Sequence, residues 1–456
     1  MGYIMLKTMM LVLLFSACSF AEVVSVHFNH DESHFYTDPY RNIRRRGEDL
    51  EKELITQVNS AEKEVLVAVQ QLQLPNLAQA MVDAKKRGVK VLVVLENTYN
   101  YAFKPLTRRE LLKLPKESQR RYLENLALID VNHNSRVTKE ELLQRDAITM
   151  LRAARIPIVD DTFDGSLGSA LMHHKFIVAD RKRVTVTSAN FTLSGVHGDL
   201  FNSKSRGNAN ALIHFALPEL AQIFAKEFFT MFGNGIKGSG KSRFGIQKPF
   251  RGAFRLNKQG IKVAGQFAAT PRSAPWKVST NAFIGNQLSR AQRSIYISMF
   301  AFSEQRLVDI LERRHNKGLK MGVLIDPSFI ARSWSEGLDM WGLEKKDAET
   351  CLYENGNRPW ANPLKYVGTP KLAYGDKLHH KFAIIDNSKV IFGSQNWSES
   401  GAHQNDENVL IISNRKVVAG FMKEFKRLSK STRFGPTEKV ISQIRQRERL
   451  CSAKRR

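Results

Sequence analysis

Two histidine–lysine pairs are the groups in this chain best suited to work on a phosphate. His173-His174-Lys175-Phe176-Ile177-Val178-Ala179-Asp180 recurs as His379-His380-Lys381-Phe382-Ala383-Ile384-Ile385-Asp386, and Thr187-Ser188-Ala189-Asn190 recurs as Gly393-Ser394-Gln395-Asn396. In an extended strand, side chains two apart share a face. His173 therefore projects with Lys175, His379 with Lys381, Ser188 with Asn190, and Ser394 with Asn396. Phe176, Val178, Phe382 and Ile384 take the opposite face and are candidates for a core. Two ammonium groups and several neutral donors around one point suit phosphate oxygens. Two imidazoles suit a displacement at phosphorus: the neutral form attacks, the protonated form supplies the leaving oxygen with a proton, and both are accessible near neutral pH. A diester carries one negative charge and needs leaving-group protonation more than metal clamping. No HExxH, CxxC cluster or Walker loop suggests other chemistry. A single His-x-Lys triplet is common and uninformative; two in equivalent places are not.

The elements that must position these groups are also written twice. Ser60–Val69 followed by Ala80–Glu96 aligns without a gap to Arg290–Met299 and Ile310–Asp326, at an offset of 230. Each copy reads as strand, amphipathic helix, glycine cap (Gly88, Gly318) and apolar strand, a βαβ unit. Runs such as Val91–Leu95 suit a parallel sheet covered on both faces. The His-Lys pairs repeat at an offset of 206, so the first copy holds 24 extra residues between Gly88 and His173. The predicted fold class is α/β. It comprises two tandem domains, each a mixed, mostly parallel sheet flanked by helices, related by a pseudo-twofold with one shared site. The expected boundaries are 22–234 and 266–430, with a basic connector over 235–265 and a basic tail over 431–456.

With both copies of HxKxxxxD and the trailing (G/T)SxN in place, the chain from about residue 50 to 428 resembles the phospholipase D superfamily. That resemblance implies a phospho-histidine intermediate, chemistry that needs no cofactor, and one active site between the halves, so that a single chain suffices. It makes Asp180 and Asp386 motif members that support the fold. It also matches the carboxylate that orients a histidine to Glu407, with Ala209 at the corresponding first-half position. The family's carboxylate often serves the opposite half. Glu407 is therefore expected to orient His173 as nucleophile, leaving His379 as general acid.

Within the extra residues, about 126–145, Asp130, Asn132, Asn134, Arg136 (through its carbonyl), Thr138 and Glu141 occupy the ligand positions of a loop resembling an EF-hand. An exit helix is expected from Lys139 to Ala154. Ser135 replaces the usual glycine, so the loop is expected to bind structural calcium weakly, the alternative being a capped helix start built on Asx turns. Residues 235–275 hold nine Lys/Arg and no acid, with Phe244, Phe250 and Phe254 interleaved. Such a segment suits nucleic acid, anionic lipid, or a linker pinned by its aromatic side chains. In the tail, Val440, Ile441 and Ile444 suggest a short helix.

Length and composition bound the rest. The 456 residues are 42% hydrophobic and 25% charged, which excludes wholesale disorder and a multi-span membrane protein. A net charge of +26 favours polyanionic partners: a phospholipid membrane or nucleic acid as substrate. Nothing singles out a protein partner. Residues 1–21 read as the signal peptide of an exported bacterial protein, cleaved after Ala21 or lipidated at Cys18. Export permits a disulfide between Cys351 and Cys451, although a separation of 100 residues gives no spacing argument and buried free thiols are the alternative. The expected function is phosphodiester hydrolysis, or transfer to an alcohol, on phospholipid. The alternative is a nuclease that acts by the same mechanism.

Overall fold

The computed structural model describes residues 23–234 and 241–453, so the leader, with Cys18 and Ala21, lies outside the described residues. The first sheet has seven strands, in the order Val24–Phe28, Ala211–Phe215, Arg183–Thr187, Lys175–Ala179, Glu64–Val69, Lys90–Leu95 and Ile158–Asp160. The second sheet repeats this order with Ile261–Phe267, Asn408–Ser413, Lys389–Gly393, Lys381–Ile385, Ser294–Met299, Lys320–Ile325 and Val367–Pro370. Phe254–Lys258 and Thr432–Phe434 extend its two edges.

Both sheets are mixed, but antiparallel pairs dominate, which corrects the expectation of a mostly parallel sheet. Only the two pairings at the βαβ side of each sheet are parallel. There the helices Pro75–Lys86 and Gln305–His315 carry the chain back across the sheet. Each His-Lys strand instead reverses through a tight turn, Asp180-Arg181 or Asp386-Asn387, with positive φ at all four residues. Such a turn makes the next strand antiparallel. The two aspartates secure it. The Asp180 carboxylate accepts the N–H groups of Glu62, Lys63 and Glu64 at 2.7–3.3 Å. Asp386 does the same for Gln292, Arg293 and Ser294.

One buried apolar cluster runs through both halves and includes Phe176, Phe224, Phe382 and Phe421. The helices Pro218–Phe232 and Arg415–Lys430 supply much of it. Phe421 of the second helix meets Phe28 of the first sheet edge-on, with ring centroids 5.1 Å apart. Gly420 lets that strand approach: a Cβ there would lie 2.7 Å from Val26.

Two segments are more structured than their composition suggested. Residues 254–267 of the basic stretch form a hairpin in the second sheet, so the second half starts well before 266. The tail adds an edge strand and the helix Glu438–Ala453, anchored by a Cys351–Cys451 disulfide. The exit helix expected over 139–154 is two helices, Lys139–Arg145 and Ala147–Ala153. Asp146 breaks it by capping the second, its side chain accepting from the Thr149 N–H.

Candidate active site

The two His-Lys strands enter one site because each is stitched to the other half. His173 N–H donates to the Asp406 carbonyl at 3.1 Å, and Asp406 N–H donates to that of Leu171 at 2.9 Å. The mirror-image pair joins His379 N–H to the Ala209 carbonyl at 3.1 Å and Ala209 N–H to that of Lys377 at 2.7 Å. The ammonium groups of Lys381 and Lys175, one from each half, both act on His379, so the two sets of side chains reach one site.

Each imidazole is held at Nδ1 by the opposite half. His173 Nδ1 lies 2.8 and 2.9 Å from the two carboxylate oxygens of Glu407. His379 Nδ1 lies 3.0 Å from Asn210 Oδ1. Asn210, not Ala209, is therefore the counterpart of Glu407. Strand register makes the reason plain: Thr187 pairs with Leu212 and Gly393 with Val409, so Leu212 matches Val409 and Asn210 matches Glu407. The Asn210 amide is fixed in orientation, because its Nδ2 donates to the carbonyls of Gly195 at 2.8 Å and Asn208 at 3.2 Å. Its oxygen is left to accept from His379.

Ser188 and Ser394 sit behind these partners. Ser188 Oγ donates to Asn210 Oδ1 at 2.7 Å, and Ser394 Oγ donates to Glu407 Oε2 at 2.6 Å. Each serine oxygen also accepts the N–H of the following strand, Ala211 or Asn408. A hydroxyl has one hydrogen to give, and both are committed here. The expected phosphate contact from the serines is thus corrected to support of the imidazole partners. The amides of Asn190 and Asn396 differ: each keeps a buried Oδ1 without a hydrogen-bond partner. Asn190 is otherwise tied to Gln70 at 3.2 Å.

Lys175 and Lys381 are buried, each donating to the carbonyl of its own strand's histidine at 2.7 Å. Sequence reasoning missed the acids near them, Glu96 and Asp326, each the residue just after its matched strand. Glu96 accepts the Met172 N–H at 2.5 Å, and Asp326 accepts the Leu378 N–H at 2.8 Å. Their alignment at the 230 offset was a usable signal. Burial, and then Asp161, push Glu96 up to about 7. Burial lowers Lys175 to about 7, against the pull of Glu407 and Glu96. Burial and then Lys175 hold Lys381 well below the usual lysine range.

The imidazoles rest neutral. Burial takes His173 down to about 4, with Glu407 pulling upward. Burial, then Lys381 and Lys175, hold His379 well below its ordinary value. Burial raises Glu407, but His173 and Lys175 outweigh it, so the carboxylate stays ionised. A carboxylate beside a neutral imidazole is the arrangement that makes a ring nucleophilic. An amide beside His379 makes its imidazolium the stronger acid.

The second histidine of each motif braces the site from behind. His174 Nε2 meets Glu227 at 3.1 Å, and His380 Nε2 meets Glu424 at 2.8 Å, both acids lying on the two long helices. The basic connector joins this layer. Lys248 Nζ lies 2.6 Å from both Glu227 and Asp406, and Arg251 pairs with Glu227. Phe244 is fully buried and Phe250 exposed. Through Lys248 and Arg251 the connector neutralises buried acids, and Phe244 pins it to the core.

The EF-hand-like loop lies elsewhere, between the helices Lys116–Ile129 and Lys139–Arg145. Asp130 accepts the N–H groups of Asn134 (3.1 Å) and Ser135 (2.7 Å), and Asn134 Oδ1 accepts that of Arg136 at 2.8 Å. Glu141 closes a capping box with Thr138 and also accepts from Asn132 Nδ2 at 3.1 Å. Ser135 adopts φ +62°, the conformation glycine normally fills.

Comparison with known proteins follows the same outline. A family described as cardiolipin synthase, PLD-like domain, matches residues 54–232 and 284–429. The mitochondrial cardiolipin hydrolase of Canis lupus familiaris is 28% identical over 183 residues, 40% of this chain and 63% of the relative. A phospholipase D of Rickettsia felis is 27% identical over 143 residues, 31% of this chain and 60% of that relative. These matches therefore span about three fifths of the relatives' length. The fold as a whole is like that of a phosphatidylserine synthase from Haemophilus influenzae. The TM-score is 0.57 at 12% identity, over 95% of this chain and 94% of the other.

Proposed function

Because the chain belongs to the PLD-like domain family, we propose that it cleaves phosphodiester bonds of phospholipids, or transfers the phosphoryl group to an alcohol, through a phospho-histidine. The observation that carries the reading is the pair of imidazoles, each gripped at Nδ1 from the opposite half and backed by a buried lysine. His173 Nε2 attacks phosphorus while Glu407 takes up the charge that develops on the ring. The anionic diester, by offsetting the charges of Lys381 and Lys175, lets His379 take up a proton at Nε2, and His379 gives that proton to the leaving oxygen. It then removes one from water, or from an acceptor alcohol, whose oxygen displaces His173 from phosphorus. Lys175, Lys381 and the amide N–H₂ groups of Asn190 and Asn396 donate to the non-bridging oxygens. A bound anion also relieves the mutual repulsion of the two lysines, so binding is accompanied by proton uptake.

Lipid is favoured by three exposed apolar side chains on loops that run into the motifs. Leu167 (99% exposed) precedes His173, Tyr374 (85%) precedes His379, and Phe201 (65%) lies between Asn190 and Asn210. Such residues suit a lipid surface better than a phosphate backbone. The names of the relatives point the same way. The Cys351–Cys451 disulfide supports export to an oxidising compartment. Among the described residues no helix is long and apolar enough to cross a membrane.

The test is headgroup release from phosphatidylglycerol, phosphatidylcholine and cardiolipin vesicles, in EDTA, beside plasmid DNA and RNA and a His173→Ala control. Lipid cleavage abolished in the control is expected. Cleavage of DNA or RNA without headgroup release would establish the nuclease alternative instead. We also propose weak structural calcium at Asp130, Asn132, Asn134, the Arg136 carbonyl, Thr138 and Glu141, with affinity of about 10⁻⁴–10⁻³ M. Calorimetry at millimolar Ca²⁺ should show heat that Glu141→Gln removes; no heat overturns the assignment.

A further inference from the structure

Away from the catalytic groups, three side chains on the outer end of the first sheet aim their metal-binding atoms at one point. Ser25 and His27 stand two apart on the strand Val24–Phe28, and Ser25 pairs with His214 on the neighbouring strand, so all three share a face. Glu53, on the helix Leu50–Asn59, closes over them. Glu53 Oε2 lies 3.3 Å from His214 Nε2 and 3.8 Å from His27 Nε2, and Ser25 Oγ lies 3.0 Å from His27 Nε2. The two imidazoles and the carboxylate offer ligand atoms within 4.8 Å of one another.

We propose that His27, His214 and Glu53 form a binding site for a single Zn²⁺-class ion, with Ser25 Oγ or water as the fourth ligand. Zn–N and Zn–O bonds of about 2.0–2.1 Å put tetrahedral ligand atoms about 3.3–3.4 Å apart, which the observed spacings bracket. The outer face of each ring is already arranged as metal-bound imidazoles require. His27 Nδ1 is held by Glu48 Oε1 at 2.9 Å, and His214 Nδ1 by Thr185 Oγ1 at 2.6 Å. These contacts leave Nε2 of each ring as the coordinating atom, the carboxylate–histidine–metal arrangement on one side. Glu48 is itself fixed by the Phe28 N–H at 2.6 Å.

The ion's role is to clamp an edge. The strand Val24–Phe28 is the outermost of its sheet and packs through Phe28 and Val26 on the helix Arg415–Lys430 of the other half. Its partner strand begins beside Asn210, which holds His379. A metal that pins the two strands and the helix Leu50–Asn59 stabilises the first half without touching the reacting groups.

The experiment uses the untagged full chain, stripped with EDTA, desalted, and reloaded with Zn²⁺ or Co²⁺. Expected are one Zn²⁺ per chain retained through dialysis, a raised Tm, and the visible absorption of tetrahedral Co²⁺. His27→Gln/His214→Gln should lose all three while keeping the native circular dichroism, and Glu53→Gln, the milder variant, should weaken retention at least tenfold. His173→Ala should leave retention unchanged. Failure of the wild type to retain zinc at micromolar concentration overturns the proposal. So does retention that survives in the double variant or disappears in His173→Ala, since the ion would then sit among the catalytic imidazoles.

Discussion

Glu407→Gln isolates the asymmetry between the two imidazoles. The carboxylate is fully buried and receives three donors: His173 Nδ1–H, Ser394 Oγ–H on Oε2 at 2.6 Å, and Asn405 Nδ2 on Oε1 at 3.2 Å. Glutamine keeps the shape and can still accept from His173, so the ring stays placed. What is lost is the difference between a charge-assisted and a neutral hydrogen bond, about 1–2 kcal/mol. One amide N–H₂ turned toward a donor adds about 1 kcal/mol more. A total of about 2–3 kcal/mol on the attacking step predicts a fall in kcat/KM of roughly 30- to 160-fold. A second readout separates this from general damage. Glu407 raises the His173 pKa, so neutralising it moves the acid limb of the kcat/KM profile, below which His173 is protonated, further down in pH. The assay is headgroup release across about pH 2.5–8, with quenched-flow trapping of phospho-enzyme and a melting curve as folding control. Activity within threefold of wild type, an acid limb that moves up, or phosphate trapped on His379 would refute the assignment of His173 as nucleophile.

Lys248→Met leaves Glu227 and Asp406 as buried acids short of a cation and should cost about 3–5 kcal/mol in urea unfolding; a loss under about 1 kcal/mol would mean this connector contact is dispensable. His174 is pushed down to about 3 by burial and then Lys248. The unfolded chain therefore binds that proton first, and its stabilisation, full above about pH 6.5, is lost as pH falls from there toward 3, by up to about 1.4 kcal/mol per unit. His174→Gln should flatten the decline in denaturation free energy over that window, and an unchanged slope would discount the group. Reducing Cys351–Cys451 opens a loop of 100 residues, worth up to about 4.7 kcal/mol by chain entropy. Dithiothreitol should lower Tm in the wild type and not in Cys351→Ser/Cys451→Ser.

The reacting groups were legible in the sequence because duplication repeats them at a fixed offset, and no fold requires His-x-Lys twice. Their partners were harder to read. Asn208 and Asn210 flank Ala209, and choosing which of the three faces His379 needs strand register, where a slip of one residue turns every side chain to the other face. The serine roles followed the same limit: spacing puts Ser188 beside Asn190 but does not say that its hydrogen goes to Asn210. Sheet direction was misjudged for a different reason. Apolar runs buried on both faces read as parallel strands, yet Phe176–Ala179 is buried on both faces and antiparallel. The inter-half core covers one face of that sheet, and Leu50–Asn59 and Pro75–Lys86 cover the other.

Charge density misled in the connector because a sequence prints cations without their partners. Lys248 and Arg251 count toward a polyanion-binding stretch until Glu227 and Asp406, from two other elements, are found against them. The same crossing of elements governs the site itself. Glu407 belongs to the half that carries His379 and holds His173; Asn210 belongs to the half that carries His173 and holds His379. Neither half alone contains His173 or His379 together with the partner of its Nδ1. Exchanging carboxylate for amide at one of two equivalent positions leaves the geometry of both rings intact while separating their proton affinities. In the proposed mechanism, that separation lets a duplicated, nearly symmetric scaffold assign attack to one histidine and protonation to the other.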